Sequence, residues 1–113
     1  MRKRQIIVPL TEEAIARLES DSSNEIDQII YNINENDFLI LFHSNLFNII
    51  TQNYSDIIID DFEEENINDK TILENIIILI REKEGIIPKI LVDRLVFLFE
   101  QTILCKTGIY FYF

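Results

Sequence analysis

Glycine is nearly missing from this 113-residue chain, which has only Gly85 and Gly108. Glycine-rich phosphate loops and dinucleotide-binding turns need several glycines at fixed offsets, so neither is expected here. Tryptophan is absent, and histidine occurs once, as His43. A single cysteine, Cys105, excludes an internal disulfide and fits a reducing compartment. So few imidazoles and thiols leave no ligand set for a transition-metal site, and no cofactor is expected. Basic side chains are scarce too: ten Lys and Arg stand against twenty Asp and Glu, for a formal net charge of −10. Phosphate recognition needs a basic footprint, and so does an anionic membrane surface. Neither direct nucleic-acid binding nor membrane binding is therefore expected. No apolar run approaches the roughly 20 residues of a bilayer span. The richest run, residues 86–99, is broken by Lys89, Asp93 and Arg94. The start of the chain has the positive charge of a signal peptide but not its apolar length, and Glu12 and Glu13 follow at once. The expectation is a soluble cytoplasmic protein.

What is present is apolar material, at 48% of residues and dominated by isoleucine. A chain of this length forms one domain, residues 1–113, and hides roughly 65% of its unfolded surface. Gln5-Ile6-Ile7-Val8, closed by Pro9, reads as a strand or an extended arm. Thr11 is placed to cap a helix ending near Glu19, with Glu12 and Glu13 at the favourable end of the dipole. In residues 25–34 the positions Ile26, Ile29, Ile30 and Ile33 form the stripe of an amphipathic helix. Residues 38–54 read as a helix capped by Asp37, with a buried strand at Phe38-Leu39-Ile40-Leu41-Phe42 as the alternative. Asp69 caps a helix over 70–84 with Leu73, Ile76, Ile77 and Ile80 inward, closed by Gly85. Pro88 suits the first turn of a long central helix reaching about Lys106 and ended by Gly108. Ile109-Tyr110-Phe111-Tyr112-Phe113 is β-prone, with Ile109, Phe111 and Phe113 on one face, and either pairs with residues 5–8 or docks on the helices. The expected fold class is mainly α, about four to five helices. Its alternative is α+β with a small sheet from the N- and C-terminal ends.

Catalytic groups do not assemble in the sequence. His43 and Ser44 are neighbours, which point in different directions on a helix, so His43 reads as a partly buried structural residue. Cys105, beside Leu104, reads as a buried inert thiol. Asp60, Asp61, Glu63 and Glu65 offer oxygens for calcium, but the alternation and the turn glycine of a calcium loop are missing. Paired carboxylates can hydrolyse glycosides, yet nothing suggests a sugar cleft. The expectation is a protein that is not an enzyme.

The distinctive stretch is residues 56–69, which hold Asp56, Asp60, Asp61, Glu63, Glu64, Glu65 and Asp69 and no Lys or Arg. Over residues 11–80 sixteen carboxylates face only Arg17 and Lys70. Interleaved Ile57, Ile58, Ile59, Phe62 and Ile67 anchor the stretch to the fold, which expects a loop there with a short extended piece at 57–59. The same sign extends over Glu25, Asp27, Glu35 and Asp37. A solvated loop that serves solubility is the plain alternative. An anchored anionic surface, however, steers basic partners.

This profile, small, acidic and without catalytic equipment, resembles bacterial immunity proteins of contact-dependent growth inhibition systems and nuclease bacteriocins. The resemblance lies in the acidic stretch and in Glu25, Asp27, Glu35 and Asp37, and in no motif. It implies that the chain binds and neutralises a cognate basic toxin, a nuclease domain, by covering its substrate groove with carboxylates. Partner-binding residues would then be Asp56, Asp60, Asp61, Glu63, Glu64 and Glu65, with Phe62 as an apolar anchor. An antitoxin-like or DNA-mimic regulator, or a structural adaptor acting through Tyr110 to Phe113, are the alternatives.

Overall fold

A computed structural model describes residues 3–20 and 27–113. Among these the elements run β1 (Arg4–Pro9), α1 (Glu12–Glu19), β2 (Gln28–Ile33), α2 (Glu35–His43), α3 (Leu46–Asn53), β3 (Glu64–Ile67), α4 (Lys70–Arg81), α5 (Lys89–Cys105) and β4 (Ile109–Tyr112). The fold is α+β, with an antiparallel sheet of order β2-β1-β4-β3. The chain ends therefore form the two central strands, as the β-prone runs at 5–8 and 109–113 expect. A mainly α description is replaced by one in which helices pack on a four-stranded sheet.

Alternation sorts the strands into two faces. Arg4, Ile6 and Val8 pair with Ile33, Tyr31 and Ile29, and these, with Ile67, Ile109, Phe111 and Phe113, meet the helices. Phe38, Leu41, Phe47, Ile50, Ile76, Leu95 and Phe99 join them in the main core. Ile7, Ile30, Tyr110 and Tyr112 lie on the opposite face, where α1 covers them with Leu18. α5 carries seven buried residues and packs on α4, β1 and β4.

Several boundaries differ from expectation for identifiable reasons. The helix expected over 25–34 is the strand β2, while Glu25 and Ile26 lie outside the described residues. Ile29, Tyr31 and Ile33 satisfy a period of two as well as Ile26, Ile29, Ile30 and Ile33 satisfy 3.6. Six-residue pairing with β1 decides for the strand, where β-branched and aromatic side chains pack best. Residues 38–54 form two helices, not one. Asn45 adopts φ 70° between them, and the Ser44 hydroxyl donates to the Leu41 carbonyl and accepts from the Leu46 amide. The cap of α2 is Asn34, whose side chain accepts from the Asp37 amide, so Asp37 is a first-turn residue and not the cap. Asp69 and Thr11 cap as expected. α4 ends at Arg81, three residues early, and Gly85 takes φ 94° in the turn beyond. α5 is closed by Lys106 at φ 57°, not by Gly108. Gly108 instead lets β4 start against β3, where a Cβ would sit 3.4 Å from the Ile67 carbonyl oxygen.

Candidate partner-binding site

The acidic stretch begins in a loop fastened at Ile57. Thr51 Oγ1 donates to the Ile57 carbonyl at 2.8 Å, and the Ile57 amide donates to Tyr54 O at 2.9 Å. Ile57 and Ile59 are buried, whereas Ile58 between them is half exposed. The extended piece at 57–59 forms no strand. The strand comes later, as β3, because its backbone pairs with β4 through Glu64↔Tyr112 and Ile67↔Ile109. Between loop and strand lies a tight turn, where the Glu63 amide donates to Asp60 O at 3.3 Å and the Asp61 amide to Asp60 Oδ1 at 2.7 Å.

Phe62 sits in that turn with φ 64° and is 74% exposed. A left-handed backbone is costly for a bulky L-residue, and glycine is the usual occupant of such a turn position. The fold thus holds an aromatic ring outward at the tip of the acidic turn.

The carboxylates do not act together. Asp61 accepts from Arg4 Nη2 at 3.0 Å, and Glu35 accepts from Arg4 Nη1. Arg4 is only 6% exposed, and its guanidinium lies 3.9 Å from the centroid of the Phe38 ring. Burial alone would lower the Arg4 pKa, but the hydrogen bonds it donates to Asp61 and Glu35, and their charges, outweigh it and raise the pKa above its ordinary value. Asp27 pairs with Arg17. Glu65 points to the helix side of the sheet, where it accepts from the Ile58 and Asn66 amides, both at 2.9 Å. Asp61, Glu35, Asp27 and Glu65 are therefore structural, which corrects the expectation of a field without internal balance. Asp37 lies near Tyr31, whose pKa is raised by burial and then by that carboxylate.

What remains on the surface is Asp56, Asp60, Glu63 and Glu64, all exposed. Among the described residues Asp56, Glu63 and Glu64 have no side-chain partner. A cleft of ≈ 260 Å³ runs beside Asp60, lined by Phe42, Phe47, Asn48, Thr51, Ile58 and Ile59. Phe42 and Ile58, 42% and 50% exposed, add apolar surface that sequence reading did not find. Helical spacing over 38–54 marks Phe42 as inward, but α2 ends at His43 and Phe42 lines the cleft together with Phe47, Asn48 and Thr51 of α3. Arg4 was equally hidden, because its partners lie 31 and 57 positions away.

The other candidates are ordinary. His43 is exposed at the end of α2, not partly buried, with its ring nearly perpendicular to that of Phe42. The hydroxyl of Ser44 is occupied by the backbone. Cys105 is half buried. Among the described residues no group of three or more His, Cys, Asp and Glu is placed to hold a metal ion, and no helix is long and apolar enough to cross a membrane. Compared with protein-family models, curated proteins and solved structures, the chain matches none.

Proposed function

We propose that the protein binds and neutralises a cognate basic protein toxin, as bacterial immunity proteins do, with the turn at residues 60–63 as the centre of contact. One observation carries this reading. Asp60, Glu63 and Glu64 surround an outward-held Phe62, next to a cleft with exposed Phe42 and Ile58. Binding energy at an interface concentrates in a few such aromatic anchors, while the carboxylates around it attract a basic partner and would stand where a nuclease expects phosphates. Asp61 and Glu65 contribute by fixing the turn, not by contact.

The test is co-purification with the product of the gene directly upstream, followed by a nuclease assay on that product with and without this protein. Binding should weaken with salt, and Asp60→Lys with Glu64→Lys should reduce both the affinity and the salt slope while the fold survives. Unchanged affinity in that double variant would remove the turn from the interface. An upstream product that neither binds nor cleaves would remove the toxin reading.

A further inference from the structure

α5 presents a second apolar line that the core does not use. Ile90, Phe97 and Leu104 are 80%, 49% and 72% exposed, and their spacing of seven keeps them on one face along about 21 Å of helix. Toward α4 this line adjoins a shallow, open groove of ≈ 440 Å³, lined by Ile77, Ile103 and Leu104 and flanked by Glu74 and Glu100. Neither carboxylate has a side-chain partner among the described residues. Asp93 lies on the same side of α5 but is paired with Lys89 at 3.1 Å. The opposite flank carries Arg94, turned toward the Tyr31 ring at 5.1 Å.

An apolar floor with an acidic rim selects its occupant by charge. A second copy is a poor one: it brings the same unpaired Glu74 and Glu100 rim, on a chain that also carries a net charge of −10. An amphipathic helix with lysine or arginine beside its apolar stripe satisfies both the floor and the rim, and helix-in-groove docking needs little more than such a stripe. We propose that the α4–α5 groove docks an amphipathic, basic helix of a partner protein, apolar side chains on Phe97, Ile103 and Leu104, cations on Glu74 and Glu100. This surface belongs to other elements than the acidic turn and does not rest on the toxin reading.

The experiment uses the full chain and a fluorescein-labelled 18-residue peptide of leucine and lysine, with leucines at helical i, i+3, i+4, i+7 spacing. A scrambled peptide of the same composition reports non-specific attraction. The patterned peptide should bind at least roughly tenfold more tightly than the scrambled one, the scale of burying one or two leucine-sized contacts. Leu104→Ser with Phe97→Ser, both exposed positions, should erase that ratio, with the melting curve confirming the fold. Glu74→Gln with Glu100→Gln should reduce it and flatten its salt dependence. The Asp60→Lys, Glu64→Lys variant should leave the ratio unchanged. Equal binding of both peptides would overturn the proposal, as would a ratio that survives the Leu104→Ser, Phe97→Ser variant. Concentration-dependent dimers in sedimentation that Leu104→Ser dissociates would also overturn it, by assigning the groove to a second copy.

Discussion

Arg4 and Phe62 are two residues placed against their usual preferences, one a cation in the interior and the other an aromatic ring outside. Arg4 is tolerated because two carboxylates and the Phe38 ring replace its hydration. Removing it costs more than removing either acid. Arg4→Ala is expected to destabilise by about 3 kcal/mol, the low end for breaking a buried pair, because Asp61 and Glu35 can turn to water. Glu35→Gln, at a half-exposed side chain, is expected to cost under about 1 kcal/mol. Urea unfolding of the two variants checks the order, and equal costs would mean that charge pairing and not packing of the guanidinium sets the value. Phe62 predicts the opposite sign. Phe62→Gly relieves a left-handed backbone and is expected to raise stability by about 1 kcal/mol, while binding of the partner falls. A residue that costs stability and sits outward is the usual signature of a surface kept for contact. If Phe62→Gly lowers stability, the ring is held for the fold.

At the scale of elements, the same physical signals that were legible at helix ends were silent about strand partners. Thr11 and Asp69 cap α1 and α4 because their oxygens reach amides only three residues away, and such local chemistry can be read directly. β2 was not legible, since its isoleucines fit two periods and only β1, far away in sequence, decides between them. β3 was less so: Glu64, Glu65 and Asn66 are poor strand formers, and pairing with β4 imposes the conformation. Glu65 then gains a role that no composition announces, holding Ile58 from seven residues away. Glu65→Ala is expected to cost about 1 kcal/mol, near the lower range for a hydrogen bond to a charge because the site is exposed. Amide exchange at Ile58 should speed up more than at Ile67, and equal effects would mean that the loop is held by Ile57 and Ile59 alone.

α1 offers a pH-dependent case. Its Glu19 accepts from the Tyr110 hydroxyl at 3.0 Å across the outer face of the sheet. Burial first, then this carboxylate, pushes the Tyr110 pKa up to about 12, against about 10 in an unfolded chain. Folding therefore favours the neutral phenol. Its contribution is whole below about pH 10 and is lost as the pH rises through about 12. Tyr110→Phe should be less stable than the parent by a constant amount up to about pH 10, a gap that closes at higher pH. Urea midpoints at pH 8 to 11.5 measure it, and a gap of constant size throughout would remove the ionisation of Tyr110 from the account.

For the whole molecule the governing quantity is the charge of −10 in a body of 13.4 Å radius of gyration. At 0.01 M salt the screening length is about 30 Å, so every carboxylate repels the others, whereas at 0.15 M it is about 8 Å and distant pairs fall silent. The buried Arg4 cluster is screened least, since water and ions reach it poorly. Added salt should therefore raise the stability of the isolated protein between 0.01 and 0.15 M, seen as a higher urea midpoint. A fall would mean that internal ion pairs, not the surplus of carboxylates, dominate its electrostatics. Association with a basic partner should respond in the opposite direction, because there the same carboxylates attract. The two measurements on one protein separate the explanations: a surface present only for solubility predicts the first response without the second, while a docking face predicts both, with the second diminished by Asp60→Lys and Glu64→Lys.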